Sequence, residues 1–413
     1  MCIRDSTWRD NPIFRSVPGM VGLGFLTLMF AACLLTLPYT LGRVALGESG
    51  HVPRYNTGEA THARIPPAWW PRDRWAKNPA DVARLNALVE PQTLDRLAAD
   101  AGTTAESLLE ATAGLLAHRL RPHWPSYILG TDPLGRSLGI RLLTGGGISL
   151  GIGIAAAALS VLIGTLYGAV AGYAGGRVDA VMMRIVDILY GLPYILLVVL
   201  LAVAVDAWVE KSVTARVERV SVAREAWVHQ QTAAMPTPPE GEALLELERA
   251  GLDRFGTGEL SAGTMSAINV GTLLVAIGGV SWLTMSRVIR GQVLSLKAQP
   301  FVEAARALGM SPGRIFVRHL LPNLLGPIIV YATLTVPQAI LQESFLSFLG
   351  IGVRPPLPSW GNLAADGLSE INPYRSNWWL LVFPCLLLGS TLLAMNFVGE
   401  GLREAFDPRR RGR

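Results

Sequence analysis

Cysteine is nearly absent, with three residues in a chain of 413. Cys33 and Cys385 fall inside apolar runs and Cys2 stands at the start, so no disulfide framework is available to the polar segments. Histidine is scarce as well: His51, His62, His118, His123, His229 and His319 are scattered, and no two stand at metal-ligand spacing. An intramembrane hydrolase would need such a cluster, or a nucleophile with a base, and neither pattern occurs. No G-x-x-x-x-G-K-[ST] run is present, so the chain has no phosphate-cradling loop of that type. The net charge of +5 raises nucleic acid as a partner. Its arginines, however, lie largely in short loops between apolar runs and in Arg409-Arg410-Arg411, where the positive-inside rule accounts for them without a polyanion.

What is abundant is apolar sequence. Half the residues are hydrophobic, mean hydropathy is +0.36, and several runs approach the ~20 residues that cross a bilayer. The chain reads as an all-α integral membrane protein with about six spans. Residues 1–6, Met1 to Ser6, read as a translated sequencing adapter, a scar on a cytoplasmic N-terminus 1–16. The first span, 17–41, follows Arg9 and Arg15. Its length, and the lack of a small-residue cleavage site after it, favour an anchor over a cleaved signal peptide.

Residues 42–128 form a polar insert. Pro66 to Pro71 is extended by its prolines, and Pro79–Val89, Thr93–Ala101 and Thr104–Arg121 show helical spacing of leucines. In the following Gly130-Thr131-Asp132-Pro133, Thr131 or Asp132 is expected to cap a short surface helix starting near Pro133. Asp132 has no partner at a spacing that suits a metal or catalysis. The second run, Leu142 to Tyr173, carries Gly164, Gly168 and Gly172, a stripe that lets another helix pack closely. In the third, Val181 to Val205, Arg184 and Asp187 are expected to pair one turn apart and Pro193 to kink the helix. A second insert, 206–266, has the spacing of a helical hairpin broken around Pro236.

The fourth run, Ile268 to Ile289, leads into FVEAARALGMSPGRIFVRHLLPN, residues 301–323. This is a helix, a tight turn and a second helix: Gly309 can end the first, and Ser311-Pro312 can start the next. Ala304, Ala305 and Ala307 are small enough for a partner's backbone to approach closely, beside one carboxylate at Glu303. The fifth run, Leu324 to Leu349, contains Gln338, Gln342 and Glu343, which makes it the candidate for lining a hydrated pathway; the competing reading has Glu343 snorkelling at the outer boundary. Arg354 to Gly361 forms a stiff outer loop with Trp360 suited to the interface. Trp378 to Val398 is the sixth run, ahead of a basic tail 406–413.

Glu303-Ala304-Ala305, Gly309 and Leu321-Pro322 resemble the EAA loop of membrane subunits of bacterial ATP-binding-cassette importers. Leu129-Gly130-Thr131-Asp132 through Arg136 resembles the GTD signature of dipeptide and oligopeptide permeases. Pro355-Pro356 with Trp360-Gly361, and Gly401-Leu402-Arg403 with Phe406-Asp407-Pro408-Arg409, resemble two further signatures of that family. His319, where many importers carry isoleucine, is common in its peptide-transporting branch. Ser137, Ile140 and Gly147 depart from the usual residues. The resemblance implies a C-type permease subunit of the dipeptide/oligopeptide/nickel branch, with the type I importer transmembrane fold over 129–405, interrupted by 206–266.

It implies a multi-pass protein of the bacterial inner membrane with both termini cytoplasmic and both inserts extracytoplasmic. Its partners would be a second permease, two ATPase subunits that bind the ATP and Mg, and an extracytoplasmic solute-binding protein. ATPase coupling would fall to Glu303, Ala304, Ala305, Gly309 and Pro322, and this chain would hold no cofactor and catalyse nothing itself. Short peptides are the favoured cargo; nickel chelates or peptide antibiotics are the alternative. A membrane-anchored interaction protein would explain the inserts but not the coupling hairpin.

Alternating spans put Ser311 and Asp95 on opposite sides of the membrane. In intact cells an impermeant maleimide is expected to label Asp95→Cys once the outer envelope is permeabilised and to leave Ser311→Cys unlabelled; outside labelling of Ser311→Cys would overturn this topology.

Overall fold

The computed structural model describes residues 17–45, 50–71, 79–111, 114–235, 239, 241–372 and 376–406. The N-terminus 1–16, its scar 1–6 and residues 407–413 of the basic tail lie outside them. Helix α1 spans Val17–Thr40, and a short antiparallel pair, β1 Arg43–Ala45 and β2 His51–Pro53, follows. Next come the small helices α2 Pro79–Asn86, α3 Pro91–Ala101, α4 Ala105–Glu110 and α5 Gly114–Leu120. Then come α6 Leu138–Ala174, α7 Gly176–Tyr190, α8 Tyr194–Ala233, α9 Glu242–Phe255 and α10 Ala262–Lys297. After α10 come α11 Pro300–Ala307, α12 Pro312–Ile315, a π turn Phe316–Leu320, α13 Leu321–Phe348, α14 Trp360–Ser369 and α15 Trp379–Phe406.

Among the described residues five helices are long and apolar enough to cross a membrane: α1, α6, α10, the rod from Pro312 to Phe348, and α15. α7 and α8 meet at 92° and make a sixth if counted as one broken span. The break covers Gly191, Leu192 and Pro193, so the kink expected at Pro193 is a full corner. Proline has no N–H for the helix ladder and disfavours helical backbone in the residue before it.

The bundle is built on α6 against α10. Along the glycine stripe, a Cβ on Gly164 would lie 2.6 Å from Met285 Cβ, one on Gly168 would run into the Ser286 carbonyl, and one on Gly172 would lie 3.0 Å from the Arg290 carbonyl. The stripe therefore does what its spacing predicts: it brings two backbones together where lipid offers no hydrophobic driving force between helices.

Two local expectations are corrected. No helix starts at Pro133; the Asp132 carboxylate accepts from the N–H groups of Leu134 and Arg136, each at 2.9 Å, and closes a turn that ends before α6 begins at Leu138. Asp187 does not use Arg184 one turn away, because Arg287 of α10 reaches it at 2.8 Å. A second strut stands two turns earlier on α7, where Arg290 grips Asp179 with both arms of its guanidinium.

The inserts differ in how they join the bundle. α2 to α5 enclose their own core around Leu85, Leu108 and Leu120. Buried Asn86 ties them together, donating to the carbonyls of Leu109 and Ala111 and accepting from Trp124 Nε1 at 3.1 Å. The second insert has no boundary at residue 206. α8 runs 40 residues without glycine or proline, about 60 Å at 1.5 Å per residue, and carries the span straight into the insert. α9 folds back on it at Gly251, against Arg224, Trp227 and Val228.

Gly168→Leu is expected to lower the thermal stability of the detergent-solubilised protein, by about 1–3 kcal/mol or more, through overpacking. Gly151→Ala on the same helix, where a Cβ meets nothing within 4 Å, should leave it unchanged. Equal melting temperatures for the two variants would show that the seam is not close-packed.

Candidate functional site

The hairpin forms as its sequence predicts. α11 starts on Pro300 and ends in a left-handed Gly309 with φ of 73°. The N–H of Gly309 bonds the Arg306 carbonyl at 2.9 Å and that of Met310 the Ala305 carbonyl at 3.2 Å, a Schellman end. Ser311 takes the N-cap position, with extended backbone and no side-chain cap bond, and Pro312 opens α12.

The exposed surface differs from the expected one in one respect. Ala305 turns inward with Val302 and packs on α10 and α12 in the cluster that holds Val293, Ile315 and Leu320. Glu303, Ala304, Ala307 and Pro322 face outward. Leu308 is 83 % exposed and Val317 63 %, apolar side chains presented on an otherwise polar element. Among the residues expected to couple to an ATPase, Ala305 thus seats the hairpin, while Glu303 and Ala304 are exposed on it.

A cleft of about 610 Å³ lies against α7, α8, α10 and α13. Gln338 and Gln342 line it with Ser281, Thr284 and Tyr194, among apolar side chains that include Leu341 and Phe345. Tyr194 and Ser281 share a hydrogen bond of 2.7 Å. At one end Arg287 stacks 4.0 Å from the centre of the Tyr190 ring while paired to Asp187. Glu343, expected to share the pathway with the glutamines, is absent from the cleft. Its side chain is fully buried on the other side of α13, which also removes the snorkelling alternative. Trp360 is likewise buried, not interfacial: it opens α14, lies over Gly146 and donates through Nε1 to the Leu142 carbonyl at 3.1 Å.

Sequence reasoning missed the partners of Asp132. Its carboxylate, 2 % exposed, also accepts from Arg136 Nε at 2.7 Å and from Arg141 at 2.6 Å, a buried arginine at the start of a span. Arg141 stands 3.8 Å from Asp366 of α14; burial raises the Asp366 carboxyl from its usual range and the arginine partly offsets this. Beside it, Arg64 of the first insert makes a two-pronged pair with Glu370, at 2.7 and 2.8 Å, which raises the guanidinium further. A carboxylate with arginine four residues on, just before a span, was the available signal.

The family described as "Binding-protein-dependent transport system inner membrane component" matches residues 160–412. The chain belongs to it. The match takes in the hairpin, the cleft and the second insert, and begins after α1 and the first insert. The chain is 39% identical over 289 residues to the dipeptide transport system permease protein DppC of Bacillus subtilis, covering 70% of this chain and 69% of that one. It is 38% identical to the oligopeptide transport system permease protein OppC of Haemophilus influenzae, over 69% and 71% of the two chains. Against OppC of Escherichia coli the identity is 40%, over 69% and 73%. The fold is accordingly the type I importer membrane fold, and the protein is a multi-pass inner-membrane component.

Gly309→Val places a branched residue at a positive φ, at a cost of about 1–3 kcal/mol; Glu303→Lys inverts the charge of the free face. Transport is expected to fall severalfold in both while membrane levels stay normal. Full uptake in both, measured with normal expression, would remove the hairpin from the coupling path.

Proposed function

We propose that this chain is the permease subunit of an ATP-driven importer of short peptides, one half of a translocation pathway coupled through its hairpin to a separate ATPase. The single observation that carries the reading is the hairpin's free face. Leu308 and Val317 stand exposed on the same hairpin as the exposed Glu303 and Ala304, an element whose inner side chains are seated on α10. A surface of this kind fits a groove in a cytoplasmic partner. ATP and its Mg belong to that partner, and this chain transmits the work of hydrolysis without catalysing it.

The cleft supports a second permease. Its lining includes Leu192, Ile195, Leu341 and Phe345, all exposed in this chain, and a matching subunit across the membrane would cover them. In this topology the hairpin is cytoplasmic, with both chain ends on its side. The two inserts face the opposite compartment, where a solute-binding protein delivers cargo. Peptides fit the polar groups at hand: Gln338, Gln342, Ser281 and Thr284 offer amides and hydroxyls to a peptide backbone, and none of the six histidines lines the cleft. The relatives named above carry dipeptide or oligopeptide transport in their names.

Two measurements test the proposal. The subunit should co-purify with an ATPase chain from mild detergent. Calorimetry on the cognate binding protein should show tight binding within a mixed di- to pentapeptide library; tight binding of a nickel chelate with no response to the peptides would overturn the cargo.

A further inference from the structure

Glu343 is fully buried at the junction of three elements, and among the described residues no lysine, arginine or histidine forms an ion pair with it. Its surroundings are hydroxyls. Ser347 donates to one carboxylate oxygen at 2.7 Å and Ser344 to the other at 3.2 Å, and the hydroxyls of Ser149 and Ser359 lie beside it. All four serines are buried.

Three of these hydroxyls have their acceptor side occupied by backbone. Ser347 Oγ accepts from the N–H of Val353 at 3.0 Å, Ser149 Oγ from that of Trp360 at 3.2 Å, and Ser359 Oγ from that of Asn362 at 3.3 Å. A hydroxyl has one proton to give; Ser347 gives it to this carboxylate, and in Ser149 and Ser359 it is left to turn toward the same group. The N–H groups of the loop before α14 and of its first turn are therefore relayed to Glu343, and the carboxylate sits where the N-terminal dipole of α14 favours negative charge. The seat is close-packed as well: a Cβ on Gly361 would run into the Ser344 carbonyl, and one on Gly145 would lie 3.3 Å from the Ser359 backbone.

We propose that Glu343 is a positioning residue: the common hydrogen-bond acceptor that seats α14 on α6 and α13 and thereby sets the rotation of α13 about its axis. At 100° per residue, Gln338, Leu341, Gln342 and Phe345 fall on one face of α13 and Glu343, Ser344 and Ser347 on the opposite face. The cleft face keeps its direction because the other face is held. Only an acceptor-only side chain of this length meets three relayed protons; glutamine offers one oxygen and would aim an N–H₂ at hydroxyls already accepting. The proposal rests on the transport reading above for its functional consequence, but its geometry stands apart from it.

The experiment uses the full complex in proteoliposomes with its binding protein and trialanine as cargo. Uptake and ATP hydrolysis are measured on the same samples, and amide exchange is followed over 353–362. In Glu343→Gln, uptake per ATP is expected to fall about tenfold and exchange over 353–362 to rise about tenfold, as for the loss of hydrogen bonds to a charged group. Ser347→Ala, which removes one donor and keeps the fold, should show both effects at about a third of that size, and it carries the test if the glutamine variant fails to assemble. Unchanged exchange in these variants, or faster exchange with uptake per ATP intact, would overturn the proposal. A wild-type complex that does not take up trialanine, yet shows the exchange difference in Glu343→Gln, would count against the peptide reading and uphold the anchor.

Discussion

Where α6 meets α10, the Cβ that Gly168 lacks would strike the carbonyl of Ser286, so the two spans touch backbone to backbone. In lipid this contact cannot come from expelling water; it comes from dispersion between surfaces smooth enough to approach closely. Both helices are longer than the bilayer core requires, at 37 and 36 residues, and both extend past the seam. One end of α10 leads into α11, so the hairpin hangs from a helix held in this close contact. The Arg290–Asp179 and Arg287–Asp187 pairs then fasten α7 to the same helix. The hairpin is thus joined to the corner at Gly191–Pro193 by α10 and these two ion pairs.

Two buried carboxyl groups in the bundle have their hydrogen bonds supplied by built surroundings. Asp132 takes two backbone N–H groups and two arginines, and Glu343 takes serine hydroxyls. These are two solutions to the same cost, since an unpaired ion in low dielectric is far more expensive than a satisfied one. The arginine solution ties the first insert, the start of α6 and α14 together, while the hydroxyl solution works with no opposite charge. Both converge on α14, a ten-residue helix that bears no charge in its first turn and is held at its start by Glu343 and further along by Arg141.

The first insert is a separate small fold with its own core around Leu85 and Leu108, and it reaches the bundle through Arg64, the Trp69 and Trp70 rings against Trp378, and the turn at Asp132. The second insert is an extension of a span, so α8 links whatever contacts its far end to Tyr194 in the cleft. The bridge from Arg354 to Asp206 steadies that helix where it leaves the bundle.

Spans, inserts and the helix-turn-helix hairpin were legible in the sequence because each depends on local composition. A run of apolar residues either covers a bilayer or does not, and a glycine with Ser-Pro two residues later ends one helix and starts another whatever surrounds it. Glycines four apart announced a close contact, though not the partner that would fill it. What the sequence could not determine was rotation. The membrane helices are apolar nearly all round, so nothing in their periodicity says which way Gln342 and Glu343 point, and residues adjacent in sequence ended on the cleft and in the buried seat of α14. Ion pairing was undetermined for a related reason: Asp187 had a local arginine at one turn, but α10 brought another, and across-helix geometry decided between them. The chain by itself thus determined which segments enter the membrane and where the backbone turns. Only the tertiary structure decided which polar side chains face the cleft and which lie buried behind it, because that choice depends on the neighbours that desolvate each group and satisfy it.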